Sequence, residues 1–150
     1  MRTAKSSASL LQELDEVLRG FDCVAGTIHV LDESSGVMKL AADRGIPDVV
    51  IEKVRDIPIG KGMAGLAAER RQPVQVCNLQ TDTSGVAKAT AKETKMAGSL
   101  AVPMITHDGA LRGTIGIAKR LPYEFTPVEC DRLMRIGARI AEQLVFVPRT

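Results

Sequence analysis

The sequence has no tryptophan, three phenylalanines, one tyrosine and two histidines among its 150 residues. Platforms that stack single-stranded bases need successive aromatics, and Phe21, Tyr123, Phe125 and Phe146 are too few and too scattered to build one. Charge of one sign is also missing. Twenty Lys and Arg against 18 Asp and Glu leave a formal net charge of +2, not the concentrated basic face of a nucleic-acid binder. Nucleic acid is therefore not an expected partner. No apolar run approaches the roughly 20 residues of a membrane span. The basic segment MRTAKSSASL is not followed by an apolar stretch of signal-peptide length. A cytoplasmic location without a membrane partner is the expectation. Cys23, Cys77 and Cys130 are odd in number, widely separated and without C-x-x-C spacing, so they read as small buried hydrophobes. Two scattered histidines and three scattered cysteines assemble neither a nucleophile–base pair nor a metal cluster. The expectation is no catalysis and no metal, with any cofactor unknown.

What is present is an ordinary globular composition, 45% hydrophobic and 25% charged. A chain of this length buries roughly 70% of its unfolded surface. It reads as one domain over residues 1–150, with its core at about 7–145. Leu10, Leu14, Val17 and Leu18 recur at helical spacing, with Leu11 widening the face, and predict a helix over 7–19. Ser6, Ser7 or Ser9 would cap its start and Gly20 its end. The period then changes to that of strands at 23–31 and 37–42, joined by Asp32-Glu33-Ser34-Ser35-Gly36. Pro47 suits the start of a short helix over 48–54. A third strand is predicted at 74–79. Residues 80–96 turn to Thr, Ser, Lys, Ala and Asp, a long loop of the kind that often serves as a lid. A second hairpin joins 99–105 to 111–118 across His107-Asp108-Gly109, and Pro103 predicts an edge or a bulge near it. Thr126, Pro127 and Glu129 open the closing helix as N-cap, first residue and capping-box partner.

The stretch IGKGMAGLAAERRQPVQV, residues 59–76, carries the sharpest motif. Gly60, Gly62 and Gly65 match G-x-G-x-x-G, which in a dinucleotide fold follows a buried strand and opens a long helix. Here Pro58 spoils a central strand and Pro73 leaves room for about two turns. The small residues instead let a short helix approach the sheet closely. Free amides at that helix start could also face a pocket and hold an anionic or polar group, with Lys61 adding charge.

These pieces in this order resemble the GAF domain family. IPIGKGMAGLAAERRQPVQVCNL is similar to its central stretch, GSLAVPMITHDGALRGTIGIAKR to its paired strands, and FTPVECDRLMRIGARIAEQL to its closing helix. The resemblance implies an α+β, PAS/GAF-like sandwich. Its central five- or six-stranded, mostly antiparallel sheet would carry the terminal helices on one face and a ligand pocket on the other. It implies a sensory or regulatory domain that binds a small metabolite and signals through a homodimer joined by the N- and C-terminal helices. A chain with only this domain in view would pass its signal to a separate output protein. The pocket is expected from Gly26 and Ile28 on the first strand, Lys61, Gly62, Met63 and Ala64 at the glycine turn, the 80–96 loop, and Ser99, Ala101, Thr114 and Gly116 on the paired strands.

Three specialised branches can be weighed on residues. Free-methionine sulfoxide reductases need thiolates at the pocket, but Ala64 and about Lys92 stand where the family has cysteines, and Ser99 where it has an acid. The cyclic-nucleotide signature survives only as Ala118-Lys119, Phe125 and Glu129-Cys130. Tetrapyrrole or haem would need a Cys–His loop pair or an axial ligand. His107 falls in a solvent-exposed turn, and His29 reads as a satisfied or half-exposed strand residue. A different class of reading is a structural dimerisation module with a vestigial pocket, its stability carried by Leu10, Leu14, Leu18, Leu144 and Val145.

Overall fold

In the computed structural model, which describes residues 7–87 and 89–144, all strand pairings among the described residues are antiparallel. The strands are β1 (Ala25–Asp32), β2 (Val37–Arg44), β3 (Asp56–Pro58), β4 (Val74–Val76), β5 (Ser99–Ile105) and β6 (Leu111–Ala118). They form one six-stranded sheet in the order β3-β2-β1-β6-β5-β4. The helices are α1 (Ser7–Phe21), α2 (Asp48–Val54), α3 (Gly62–Arg70) and α4 (Pro127–Gln143), with a short 3-10 helix at Ala89–Thr94. The α+β sandwich with terminal helices on one face is as expected from the sequence.

Side chains alternate across a strand with a period of two, and here the alternation divides the sheet by size. Ile28, Leu100, Val102, Met104, Ile115 and Ile117 point to one face, where Leu10, Leu14, Val17 and Leu18 of α1 and Leu133 and Ile140 of α4 cover them. The cross-strand pairs Ile28–Ile115 and Val102–Ile115 show that these residues share that face. Leu14, Leu133 and Ile140 are fully buried, and truncating such a residue to Ala typically costs about 2–5 kcal/mol. The opposite face carries Ala25, Thr27, His29, Ser99, Ala101, Thr114, Gly116 and Ala118.

Local chemistry explains the element ends. Thr126 accepts the Glu129 amide, and Glu129 accepts the Thr126 amide, a complete capping box with Pro127 at the first helical position. Tyr123 donates its hydroxyl to the same carboxylate at 2.8 Å. Gly20 does not end α1 as expected. Asp22 takes the left-handed conformation instead (φ 54°), its amide reaching Arg19 O and that of Cys23 reaching Leu18 O. The expected cap Ser6 lies outside the described residues, as does Val145. Residues 77–79 leave the predicted third strand, which ends at Val76. Residues 56–58 supply a short edge strand, and Pro58 is tolerated there because an edge has no second partner. Pro103 lies beyond the last β4–β5 pair, Val74–Ala101, and next to a register shift between Met104 and Ile105. Cys23 and Cys130 are buried, but Cys77 is exposed, because the chain has already left the sheet there.

His107 is exposed as expected, yet its Nδ1 lies 2.7 Å from the Glu142 carboxylate, tying the β5–β6 turn to α4. This contact raises the His107 pKa and lowers that of Glu142. The raised imidazole contributes stability that is lost as pH rises through its folded value. The lowered carboxylate contributes stability that is lost as pH falls through its own. The melting-temperature gap between wild type and His107→Gln is therefore expected to be widest between the carboxylate and imidazole ranges and to shrink on either side. A gap that stays constant with pH refutes the linkage. Thr126→Ala is expected to cost about 1 kcal/mol in urea unfolding.

Candidate functional site

The small-residue face of the sheet is roofed by α2, α3 and the segment that carries the 3-10 helix, and a cavity of about 190 Å³ lies between them. Its sheet wall is Ala25, Gly26, Thr27, His29, Ser99, Ala101, Gly116 and Ala118. Ala25 and Ala118 also pack with Val76, Leu79 and Met96 at its edge.

The glycine turn brings α3 to this wall. A Cβ on Gly65 would stand 2.6 Å from Pro58 O, closer than any real side chain tolerates. Gly60 takes φ 95°, and its amide donates to Gly65 O at 2.8 Å. Chain and helix therefore touch backbone to backbone. The amides of Gly62, Met63 and Ala64 begin the helix and so have no partner within it, and the Lys61 side chain does not cap them. All four residues line the cavity. A helix start presents partial positive charge, which favours an anionic or acceptor group there.

The roof is tied down. Gln80 donates its side-chain amide to Lys92 O and Met96 O, closing the 80–96 segment on itself. Lys53 of α2 pairs with Glu93 at 3.1 Å, joining the two halves of the roof. Leu79, Ala87, Ala91, Thr94 and Met96 line the cavity from this side. The expected lid loop thus borders the hollow and carries the 3-10 helix.

Eight of the ten residues expected at the pocket border it: Gly26, Lys61, Gly62, Met63, Ala64, Ser99, Ala101 and Gly116. Gly26 does so by its backbone, since a Cβ there would point to Leu14 and Leu18. Ile28 does not. Its side chain is in the core under α1 and α4, because period-two alternation sends it to the face opposite Thr27 and His29. Thr114 is on the hollow's face but does not border the cavity.

His29, expected as a satisfied or half-exposed strand residue, is buried instead. It is 1% exposed and lines the cavity. Its Nε2 lies 2.7 Å from Val54 O, and its Nδ1 has no hydrogen-bond partner among the described residues. Burial pushes its pKa down, so the ring is neutral at physiological pH. The signal was its place on the same strand face as Ala25 and Thr27. The walls from α2, Val50 and Val54, carried no chemical signature at all.

None of the three cysteines borders the cavity. Cys23 lies in the core on the other side of the sheet, and burial pushes its thiol up to about 11. Lys119 turns away from the hollow. It donates to Phe21 O and Asp22 O at the end of α1 and sits over the Tyr123 ring. Phe125 is a buried core anchor, and Glu129 belongs to the capping box. The remnant of the cyclic-nucleotide signature is thus held by structural work. Among the described residues no group of three or more His, Cys, Asp or Glu could hold a metal ion, and no helix is long and apolar enough to cross a membrane.

A family model for the GAF domain matches residues 4–144. The chain belongs to the GAF domain family. This is typically a sensory or regulatory domain, and its relatives by fold span several roles. The GAF domain of a phosphoenolpyruvate-protein phosphotransferase from Coxiella burnetii is 20% identical, with 91% of this chain and 80% of that chain covered at a TM-score of 0.76. A domain of a protein described as a two-component sensor histidine kinase from Sinorhizobium meliloti 1021 is also 20% identical, with 91% and 88% covered and a TM-score of 0.70. A type II free methionine-R-sulfoxide reductase from Thermoplasma acidophilum is 18% identical, with 92% and 91% covered and a TM-score of 0.74. No curated protein matches the chain. At these identities the likeness is one of fold, and it reaches enzymes as well as regulatory domains.

The backbone contact at the glycine turn makes a direct prediction for this GAF domain. Gly65→Ala is expected to lower stability by about 1–3 kcal/mol and to perturb the amide resonances of residues 60–65. Unchanged stability and spectra overturn the close-approach account.

Proposed function

We propose that this GAF domain is a non-catalytic, cytoplasmic sensory module whose hollow binds a small metabolite. The observation that carries the reading is the cavity itself: about 190 Å³, walled by alanines and glycines, with the amides of α3 as its fixed polar edge. Ligand sites commonly combine mostly apolar walls with a few placed polar groups. A cavity of about 150 Å³ holds benzene, so the hollow suits a compact molecule.

The residues at the hollow speak against the reductase reading. Reduction of a sulfoxide needs a thiolate within reach of the substrate sulfur and a second thiol to resolve the product. Ala64 and Ser99 line the hollow where that chemistry would want a thiol and an acid. The two buried thiols both have raised pKa values and lie away from it.

Signalling follows from the roof. A ligand that prefers one arrangement of the 80–96 segment shifts the population towards it by its differential affinity. The shift would pass through the sheet to α1 and α4, the helices through which two copies would pair, and on to a separate output protein. Native mass spectrometry of freshly purified protein is expected to show a co-purifying small molecule and the mass of a dimer. Ala101→Trp fills the hollow and is expected to lose the small molecule while staying folded. Retention of the molecule by that variant, or turnover of free methionine sulfoxide with a thiol reductant, overturns the reading.

A further inference from the structure

The side chains around the hollow have little to offer a charged guest. Ile46, Val50, Val54, Met63, Leu79 and Met96 line it, together with a sheet wall made mostly of alanine and glycine. The polar side chains on its walls are engaged with the protein's own backbone. Ser99 donates its hydroxyl to Ile117 O at 3.4 Å. Thr94 donates to Ala91 O at 2.7 Å and accepts the Met96 amide at 3.1 Å. His29 holds Nε2 against Val54 O, and its Nδ1 is buried out of a guest's reach.

The charged side chains are engaged too. Lys53 pairs with Glu93 at 3.1 Å and Asp56 with Lys39 at 3.2 Å. Lys61 is exposed to solvent. What remains on the sheet wall is the Thr27 hydroxyl, opposite Gly116 on β6 and without a hydrogen-bond partner among the described residues. A hydroxyl pairs with one neutral polar atom but balances no charge. Moving an ion into apolar surroundings without a partner is costly, whereas apolar cavities of this order of size take apolar guests.

We propose that the guest of this hollow is an uncharged, mostly apolar molecule about the size of benzene, held by apolar contact and carrying at most one polar atom, which faces Thr27. The proposal rests on the hollow being a ligand site, as proposed above, and adds the chemistry of the ligand.

The test uses the whole chain with ¹³C-labelled methionine methyls and four probes built on one ring: toluene, phenol, benzoate and benzylamine. At neutral pH the first two are uncharged and the last two are ions. Met63 and Met96 border the hollow, whereas Met104 lies in the core on the other face of the sheet and serves as the control. Single Met→Leu variants assign the three signals. Toluene or phenol is expected to shift the Met63 and Met96 methyls but not that of Met104, and to bind at least about tenfold tighter than either ion. Ala101→Trp is expected to abolish these shifts while the Met104 signal reports an intact core. Shifts that survive in that variant place the probes elsewhere and overturn the proposal. Benzoate binding as tightly as the neutral probes overturns the uncharged class in favour of Lys61 and the start of α3. Benzylammonium doing so overturns it in favour of the Asp56 carboxylate. No shift of Met63 or Met96 with any probe also overturns the ligand class. The sensory reading stands or falls separately, on whether native mass spectrometry shows a co-purifying molecule.

Discussion

The rest of the molecule depends on a difference in side-chain size between the two faces of one sheet. Isoleucine, leucine, valine and methionine fill the face under α1 and α4. Alanine, glycine and serine occupy much of the other. Close packing allows no voids of this size among large interdigitating side chains. A hollow can persist only where the wall residues are too short to reach the roof. The same alternation therefore builds the core on one side and the cavity on the other.

The roof must then stand off without collapsing. Two features hold it. The glycine turn locks α3 to the backbone near Pro58, so that the helix start faces the wall. The 80–96 segment is stitched by the Gln80 side chain and clipped to α2 by the Lys53–Glu93 pair. That clip is an exposed ion pair, and such pairs contribute little stability. The roof is thus fixed where glycine contacts are involved and weakly held where the lid meets α2. Such a division suits a site that admits a ligand from one side.

Much of the fold was legible because its signals are local. The capping box at Thr126, Pro127 and Glu129 announces α4 within four residues. The hairpin 99–105 to 111–118 follows from one turn and two runs of alternating size. Where the structure departs from the sequence expectation, either the backbone bonds at an element's end or a contact from elsewhere in the chain decided. Asp22 rather than Gly20 closed α1 because the bonds to Leu18 and Arg19 fell there. Pro58 ended a strand after all, because β2 offered an edge. The residues expected from the glycine turn do border the hollow, because sequence and geometry coincide there. Ile28 does not border it, because the direction of β1's pleat sends its side chain to the core.

The sequence by itself determined that this chain forms an antiparallel sheet with helices at both termini and a close-packed glycine turn between them. Periodicity, capping and glycine conformation act within a few residues, so they are written in the order of the chain. Only the tertiary structure decided which face of β1 became the wall of the hollow, and so that His29 rather than Ile28 looks into it. Alternation says that neighbours oppose each other, but it does not say which set meets α1. That choice is made when Leu14 and Leu18 claim one face, and with it the unpaired nitrogen of His29 is left on the other.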